Sequence, residues 1–286
     1  MTFSPVSLLS AGTALLAGCV AAALVAAPAL PAPAAAIRHS AVVRHDMETS
    51  SNWAGYAVTP ASGGAVTSFT NVVGTWVQPA VSCTAGTPSY SAFWVGLGGF
   101  DETASSLEQT GTESNCTSAN TAEYDAWYEI LPAAPVRVKL AVRPGDTISA
   151  AVTVTGKTVN FRLRNLTRKT VVNKKVKKAA PDLSSAEWIA EAPASCSGSG
   201  RCSVLPLANF GSIDFLQAAA TGTRHSGLIP DPAWTNTAIS LDGSRSGAPG
   251  FFGNRGGAES SAVPSGLAAN GSFSVAWQPA AATTSP

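Results

Sequence analysis

The chain has 286 residues, of which only 12% are charged, and its formal net charge is +1. A balance this even gives no support for a protein that binds nucleic acid by neutralising phosphates, and 26 Gly with 19 Pro point away from a helical bundle. The length suffices for one large domain or two ordinary ones, either with a substantial core.

Residues 1–36, "MTFSPVSLLSAGTALLAGCVAAALVAAPALPAPAAA", are apolar, contain no acidic residue and close with Ala34, Ala35 and Ala36 before Ile37 and Arg38. This is the pattern of a secretory signal peptide, so the expected location is extracellular. The Pro-rich end shortens the apolar run and argues against a retained membrane helix. Cys19, in "LAGC", is followed by more apolar sequence instead of a polar tether, which argues against a lipid anchor. Residues 37–50, "IRHSAVVRHDMETS", are polar and read as a short pro-segment or flexible arm, leaving residues 51–286 as one folded domain. Outside the leader the cysteines are Cys83, Cys116, Cys196 and Cys202, an even number that an oxidising compartment would pair as disulfides. The short loop "CSGSGRC" makes Cys196 and Cys202 the easy pair and leaves Cys83 with Cys116. Without a Cys-x-x-Cys spacing or a nearby His, no metal site is expected.

From Ser51 onward, short runs rich in Val, Thr, Trp and Tyr alternate with Gly, Pro, Ser and Asn: "GTWVQP", "SAFWVGLGG", "YDAWYEILP", "TISAAVTVTG", "VNFRLRNLT", "AEWIAEAP", "SFSVAWQP". Runs of this length and spacing predict an all-β sandwich or barrel. "VRVKLAVRPGDTISAAVTV" alternates strictly and reads as a hairpin turning at Pro-Gly-Asp. "RNLTRKTVVNKKVKK" is the most basic piece and reads as a solvated strand whose lysines protect a sheet edge. The Gly/Ser-rich stretch after Leu241 reads as loop.

A Ser-His-Asp hydrolase needs a His in the folded body, and only His225 remains there, in a Gly/Thr-rich loop with no Gly-x-Ser-x-Gly elbow. No phosphate-binding loop, dinucleotide fingerprint or His-Glu-x-x-His is present. What remains is a set of carboxylates beside aromatics. Strand parity puts Glu187, Ile189 and Glu191 on one face and Trp188 and Ala190 on the other. The same parity groups Asp125, Trp127 and Glu129 against Tyr124, Tyr128 and Ile130. Such faces either meet solvent or line a cleft, and periodicity alone favours solvent. A carboxylate beside Trp in a groove would have the raised pKa that proton transfer requires.

Taken in order, "SNWAGY", "FWVGLGG", "LEQTG", "YDAWYE", "SAEWIAE" and "AVPSGL...GSFSVAW" resemble the glutamic peptidases, or eqolisins, across Ser51 to Trp277. The resemblance implies a concanavalin/jelly-roll-like sandwich of two large antiparallel sheets, with a substrate groove on one curved face. It implies an endopeptidase acting on polypeptides in acid without cofactor or metal. With the leader read above, the expectation is a secreted enzyme, and a monomer is expected because the sequence gives no sign of an oligomer. The family's catalytic Gln falls on Gln109 and its catalytic Glu on Glu191, with Glu187 as supporting neighbour. Glu191 would take a proton from water and return it to the leaving amine, while Gln109 holds the water and stabilises the oxyanion. Trp53 and Trp94 match groove-lining tryptophans, and Asp125 and Glu129 a supporting carboxylate cluster that Glu113 joins. Clustered carboxyls share protons in acid and repel when ionised, so activity is expected near about pH 3 to 4 and loosening at or above neutrality. Where fungal members read "WVGIDG", this chain carries Gly98 in place of the Asp, and Leu131 stands where a Tyr is expected.

Two other functions fit the same aromatics and carboxylates. One is a non-catalytic sandwich that binds carbohydrate or peptide. The other is a glycosidase using Glu191 with Glu129. Gln109 discriminates against the glycosidase, which does not need it, and clearing of casein in acid discriminates against the silent binder.

Overall fold

The computed structural model describes residues 36–38, 49–101, 104, 106–196, 202–243 and 260–279. The predicted signal segment up to residue 35, with Cys19, most of the 37–50 arm and most of the Gly/Ser-rich loop lie outside these. In chain order the strands are β1 (Ala36–Arg38), β2 (Thr49–Ser50), β3 (Trp53–Pro60), β4 (Phe69–Val77), β5 (Ala92–Leu97), β6 (Glu108–Cys116), β7 (Ala122–Ile130), β8 (Val136–Val138), β9 (Thr147–Thr155) and β10 (Thr158–Asn165). They continue with β11 (Thr170–Lys177), β12 (Ala186–Glu191), β13 (Ala194–Cys196), β14 (Cys202–Val204), β15 (Ser212–Gly222), β16 (His225–Leu228), β17 (Trp234–Leu241), β18 (Ser261–Pro264) and β19 (Phe273–Gln278). No helix occurs among the described residues.

One ladder runs β11-β10-β9-β4-β15-β19-β18-β17-β3-β12-β5-β6-β7-β8, with β16 beside β15 and β2 beside β17. Pairing within it is antiparallel apart from the two-residue β2. The ladder doubles back at β17, which meets β18 only through Leu241 and Ala262 but pairs with β3 over six residues. The two arms form two layers. Between them lies the main core, where Phe93, Val95, Trp188 and Tyr56 of one layer meet Trp76, Val152, Phe161 and Phe215 of the other. This is the all-β sandwich that the alternating runs predicted. A separate small sheet, β1-β13-β14, adds Ala36–Arg38 to the edge of β13, so both ends of the segment read as an arm carry strand, at β1 and β2.

β9 shows why these sequences become strands: Ile148, Ala150, Val152 and Val154 are buried while the alternate residues are not, the period of a sheet with one covered face. β11 is the edge, paired only with β10, and its lysines are exposed there, as the basic run predicted. The expected hairpin around Pro144-Gly145-Asp146 does not form. β8 pairs with β7 and β9 with β4 and β10, so the stretch crosses between layers. The turn itself exists, with Gly145 at φ +82° and Asp146 Oδ2 accepting from Arg143 N at 2.9 Å. Leu140 and Val142 gain more by burial between the layers than by a ladder with β9. Disulfides join Cys83 to Cys116 and Cys196 to Cys202.

Candidate active site

The layer β17-β3-β12-β5-β6-β7-β8 turns its inner face to the main core. Its other face carries a second apolar cluster, including Trp53, Trp94, Trp127, Ile189 and Leu131. Parity assigned these faces correctly: Trp188 and Ala190 enter the main core while Ile189 lies in the second cluster. Glu187, Glu191, Gln109 and Glu129 are all fully buried within the chain, so the carboxylates do not meet solvent.

Register then sorts this face into cross-strand rows. One row reads Ala57, Glu187, Gly96, Gln109, Glu129 across β3, β12, β5, β6 and β7. Glu187 and Gln109 are thus two strands apart, roughly 10 Å between backbones, and the strand between them contributes no side chain. A Cβ at Gly96 would stand 2.8 Å from Trp94 Cζ3, 3.0 Å from Leu107 Cδ1 and 3.3 Å from Glu187 Oε2. Only glycine fits there, because Trp94, Leu107 and Glu187 already fill the space above position 96. Gln109 Nε2 donates to Glu129 Oε2 at 3.0 Å, which fixes which end of the amide is presented. Neither carboxyl oxygen of Glu187 accepts a hydrogen bond of good geometry, and the Ser185 hydroxyl is the polar side chain set against it. Burial pushes its carboxyl well above the usual range, the Ser185 hydroxyl opposes that rise, and the charges of Asp182 and Glu108 add to it.

The second row reads Trp53, Glu191, Ala92, Glu113, Asp125. It lies four residues along the strands, roughly 13 Å away. Trp94 Nε1 donates to Glu191 Oε2 at 2.8 Å and Asn52 Nδ2 donates to Glu191 Oε1 at 3.1 Å. Ser50 Oγ holds Asn52 in turn, donating to its Oδ1 at 3.2 Å, and accepts from Trp53 N at 3.0 Å. The Trp53 and Trp94 rings meet edge to face with centroids 4.9 Å apart. Glu113 Oε2 accepts from Asn115 Nδ2 at 2.5 Å. Arg137 Nη2 lies 3.0 Å from Asp125 Oδ2. Burial raises the Asp125 carboxyl, Arg137 offsets this, and Glu113 and Glu123 add to it.

The residues named from sequence thus share one face, but in two groups. Gln109 keeps company with Glu187 and Glu129, while Glu191 belongs with Trp53, Trp94, Glu113 and Asp125. The pairing of Gln109 with Glu191 is not the one the register makes. Sequence reasoning also missed Asn52, Glu108 and Asp182. Asn52 and Glu108 lie inside quoted motifs, "SNWAGY" and "LEQTG"; Asp182 sits in a stretch with no motif. Burial pushes Glu108 up to about 7, with opposing effects from Ser106, Lys178 and the Asp182 backbone. His225 lies in the other layer, its Nε2 2.9 Å from Asp231 Oδ2. Among the described residues no group of His, Cys, Asp and Glu could hold a metal ion.

A profile described as the Peptidase A4 family matches residues 51–244. The chain belongs to this family, that of the glutamic peptidases or eqolisins. The fold agrees. A crystal structure of scytalido-glutamic peptidase with a peptide-based transition-state analog superposes with a TM-score of 0.59 at 22% identity, covering 79% of this chain and 98% of that one. SCP-B, an eqolisin in complex with the tripeptide Ala-Ile-His, gives a TM-score of 0.54 at 21% identity, covering 79% and 98%. No curated protein matches the sequence. Membership implies a peptidase with polypeptide substrates, and the disulfides suit an extracellular enzyme.

Proposed function

We propose that the protein is a secreted acid endopeptidase whose catalytic pair is Gln109 with Glu187. The observation that carries this reading is the row Glu187-Gly96-Gln109, where a buried carboxylate without a hydrogen bond of good geometry and a buried amide flank one glycine on the same sheet face. Glu187 replaces Glu191 in the role because Glu191 lies in the other row with its oxygens bound by Trp94 and Asn52.

A water between the two groups gives its proton to Glu187 as it attacks the scissile carbonyl. The Gln109 amide donates to the oxyanion that forms, and Glu187 then passes the proton to the leaving nitrogen. Glu129 keeps the Gln109 amide turned for this task. Because burial is the largest cause of the raised Glu187 pKa, the water that the reaction requires brings it back toward the acid working range. Trp53, Trp94 and Trp127 supply apolar walls suited to an extended polypeptide; the peptide-based analog bound by scytalido-glutamic peptidase is the ligand class to try. In this reading residues 1–36 are removed on secretion, residues 37–50 form a short pro-segment or arm, and a monomeric domain from Ser51 onward carries the activity without cofactor.

The test is hydrolysis of an unfolded protein from pH 2 to 8, with pepstatin and a chelator present. Activity should peak in acid, survive both inhibitors and disappear in Glu187→Gln and Gln109→Ala. Loss in Glu191→Gln with retention in Glu187→Gln would return the role to Glu191. Absence of cleavage in every sample would favour a binding module.

A further inference from the structure

The link between β11 and β12 brings a second carboxylate to the end of β5, two residues along that strand from the Glu187 row. Asp182 Oδ1 accepts from Ser184 N at 2.9 Å and its Oδ2 from Gly99 N at 3.3 Å. Asp182 N donates to Glu108 Oε2 at 3.2 Å, and the Ser106 hydroxyl donates to the other oxygen of Glu108. Gly98 N donates to Ser185 O at 3.1 Å, tying the same link to the end of β5. Gly98 has φ +79°, and a Cβ there would stand 2.4 Å from Asp182 Cβ and 2.7 Å from its Cγ. The Asp182 side chain thus fills the space that a side chain at position 98 would take, two residues beyond Gly96.

We propose that Asp182 is a positioning residue for the catalytic carboxylate: it pins the Gly98–Gly99 turn at the end of β5 and sets a second carboxylate two residues along that strand from Gly96, the residue that Glu187 overlies. The inference rests on the assignment of Glu187 to the reaction. The groups around Glu187 leave Asp182 with this role. From β6 the titratable neighbour is Glu108, which faces Lys178 as well, and Gln109 is neutral. From β5 the row offers Gly96, from β3 Ala57 and from β17 Thr237, none charged. Along β12 the next carboxylate on this face is Glu191, held by Trp94 and Asn52.

Titration of the Glu187 carboxyl by NMR on the 13C-Glu-labelled full chain, assigned with Glu187→Gln, decides the matter alongside the pH profile of kcat. In Asp182→Asn the Glu187 midpoint should fall by about one pH unit, the direction expected for loss of a neighbouring like charge. The acid limb of kcat should move with it while KM stays fixed. Moving the carboxylate to the other side of the contact, in Asp182→Gly with Gly98→Asp, should restore the midpoint. The matched Asp182→Gly with Gly98→Asn should not, and this pair carries the charge test even where Asp182→Asn fails to fold. An unchanged midpoint in Asp182→Asn, or equal midpoints in the relocated pair, would overturn the inference. A parent without peptidase activity at any pH would instead overturn the proposed function, and the NMR midpoints would still decide this one.

Discussion

The two rows of one sheet face invite comparison, since both hold carboxylates among tryptophans and both are covered by the chain. In the Glu191 row every carboxylate has an identified donor: Trp94 and Asn52 for Glu191, Asn115 for Glu113, Arg137 for Asp125. In the other, Glu187 has no donor in good geometry, only the nearby Ser185 hydroxyl. Leaving a buried polar group unmatched costs ~1–3 kcal/mol or more, and native folds rarely tolerate it without a use. On the proposed function, the first row builds walls and the second holds the reactive carboxylate for a water and a substrate to engage.

The sharpest way to break that contrast is to exchange the consequences. Glu187→Gln should reduce kcat by roughly a thousandfold or more, while unfolding at neutral pH shows a stability equal to or above the parent's, because an unpaired buried acid is gone. Gln109→Ala should lose ~10²–10³ in kcat through the missing oxyanion donor. Should Glu187→Gln destabilise the protein and leave kcat intact, the rows would have their roles reversed.

Faces were legible in the sequence and rows were not. Alternation placed Glu187, Ile189 and Glu191 together because the side-chain period of a strand is two. Nothing in that period says which residue of β6 stands beside which residue of β12, and a two-residue slip keeps every face while changing every neighbour. Hence Glu191 read as the partner of Gln109 until the register of β5 placed Gly96 between Gln109 and Glu187. The missing Asp of "WVGLGG" was visible, but that Asp182 fills its space was not, since the two positions are 84 residues apart and meet only through the β11–β12 link. The hairpin at Pro144 failed for a similar reason: a turn signal fixes local reversal, and burial decides what its flanks pair with.

A somewhat smaller effect concerns pH. Glu108 has its carboxyl raised to about 7 against an ordinary value of 4.5. Its folded form holds the proton more tightly than the unfolded chain, so its contribution is favourable below about 4.5, falls as pH rises through that window and is lost above about 7. The difference corresponds to about 3 kcal/mol. Glu108→Gln should therefore flatten the decline in unfolding free energy between pH 4 and 8 by up to that amount, measured by urea unfolding at both pH values. Parallel declines in parent and variant would place the pH sensitivity elsewhere.

Within the wall row, Glu191→Gln should cost ~1–2 kcal/mol, since an amide cannot accept from both Trp94 and Asn52 as a carboxylate does. It should raise KM more than it lowers kcat, because the displaced ring lines the groove and does not touch the reacting atoms. A loss confined to kcat would make Glu191 part of the chemistry and erase the distinction between the rows.

The smallest effect expected is at the rim, where Arg137 is 64% exposed and Asp125 29%. A pair this solvated contributes under about 1 kcal/mol. Its sign still depends on pH. Asp125 has its folded pKa raised on balance, by burial first, with Arg137 working against that rise. Arg137→Ala therefore lifts the pKa further and deepens the loss of stability above the ordinary carboxyl range, whereas at pH 2 to 3, with Asp125 protonated in both states, the substitution should be neutral. Thermal unfolding of the variant at pH 3 and pH 7 separates the cases. An equal loss at both would mean that Arg137 acts through its packing on β7 and β8, and the rim carboxylate would then have no part in how this face responds to acid.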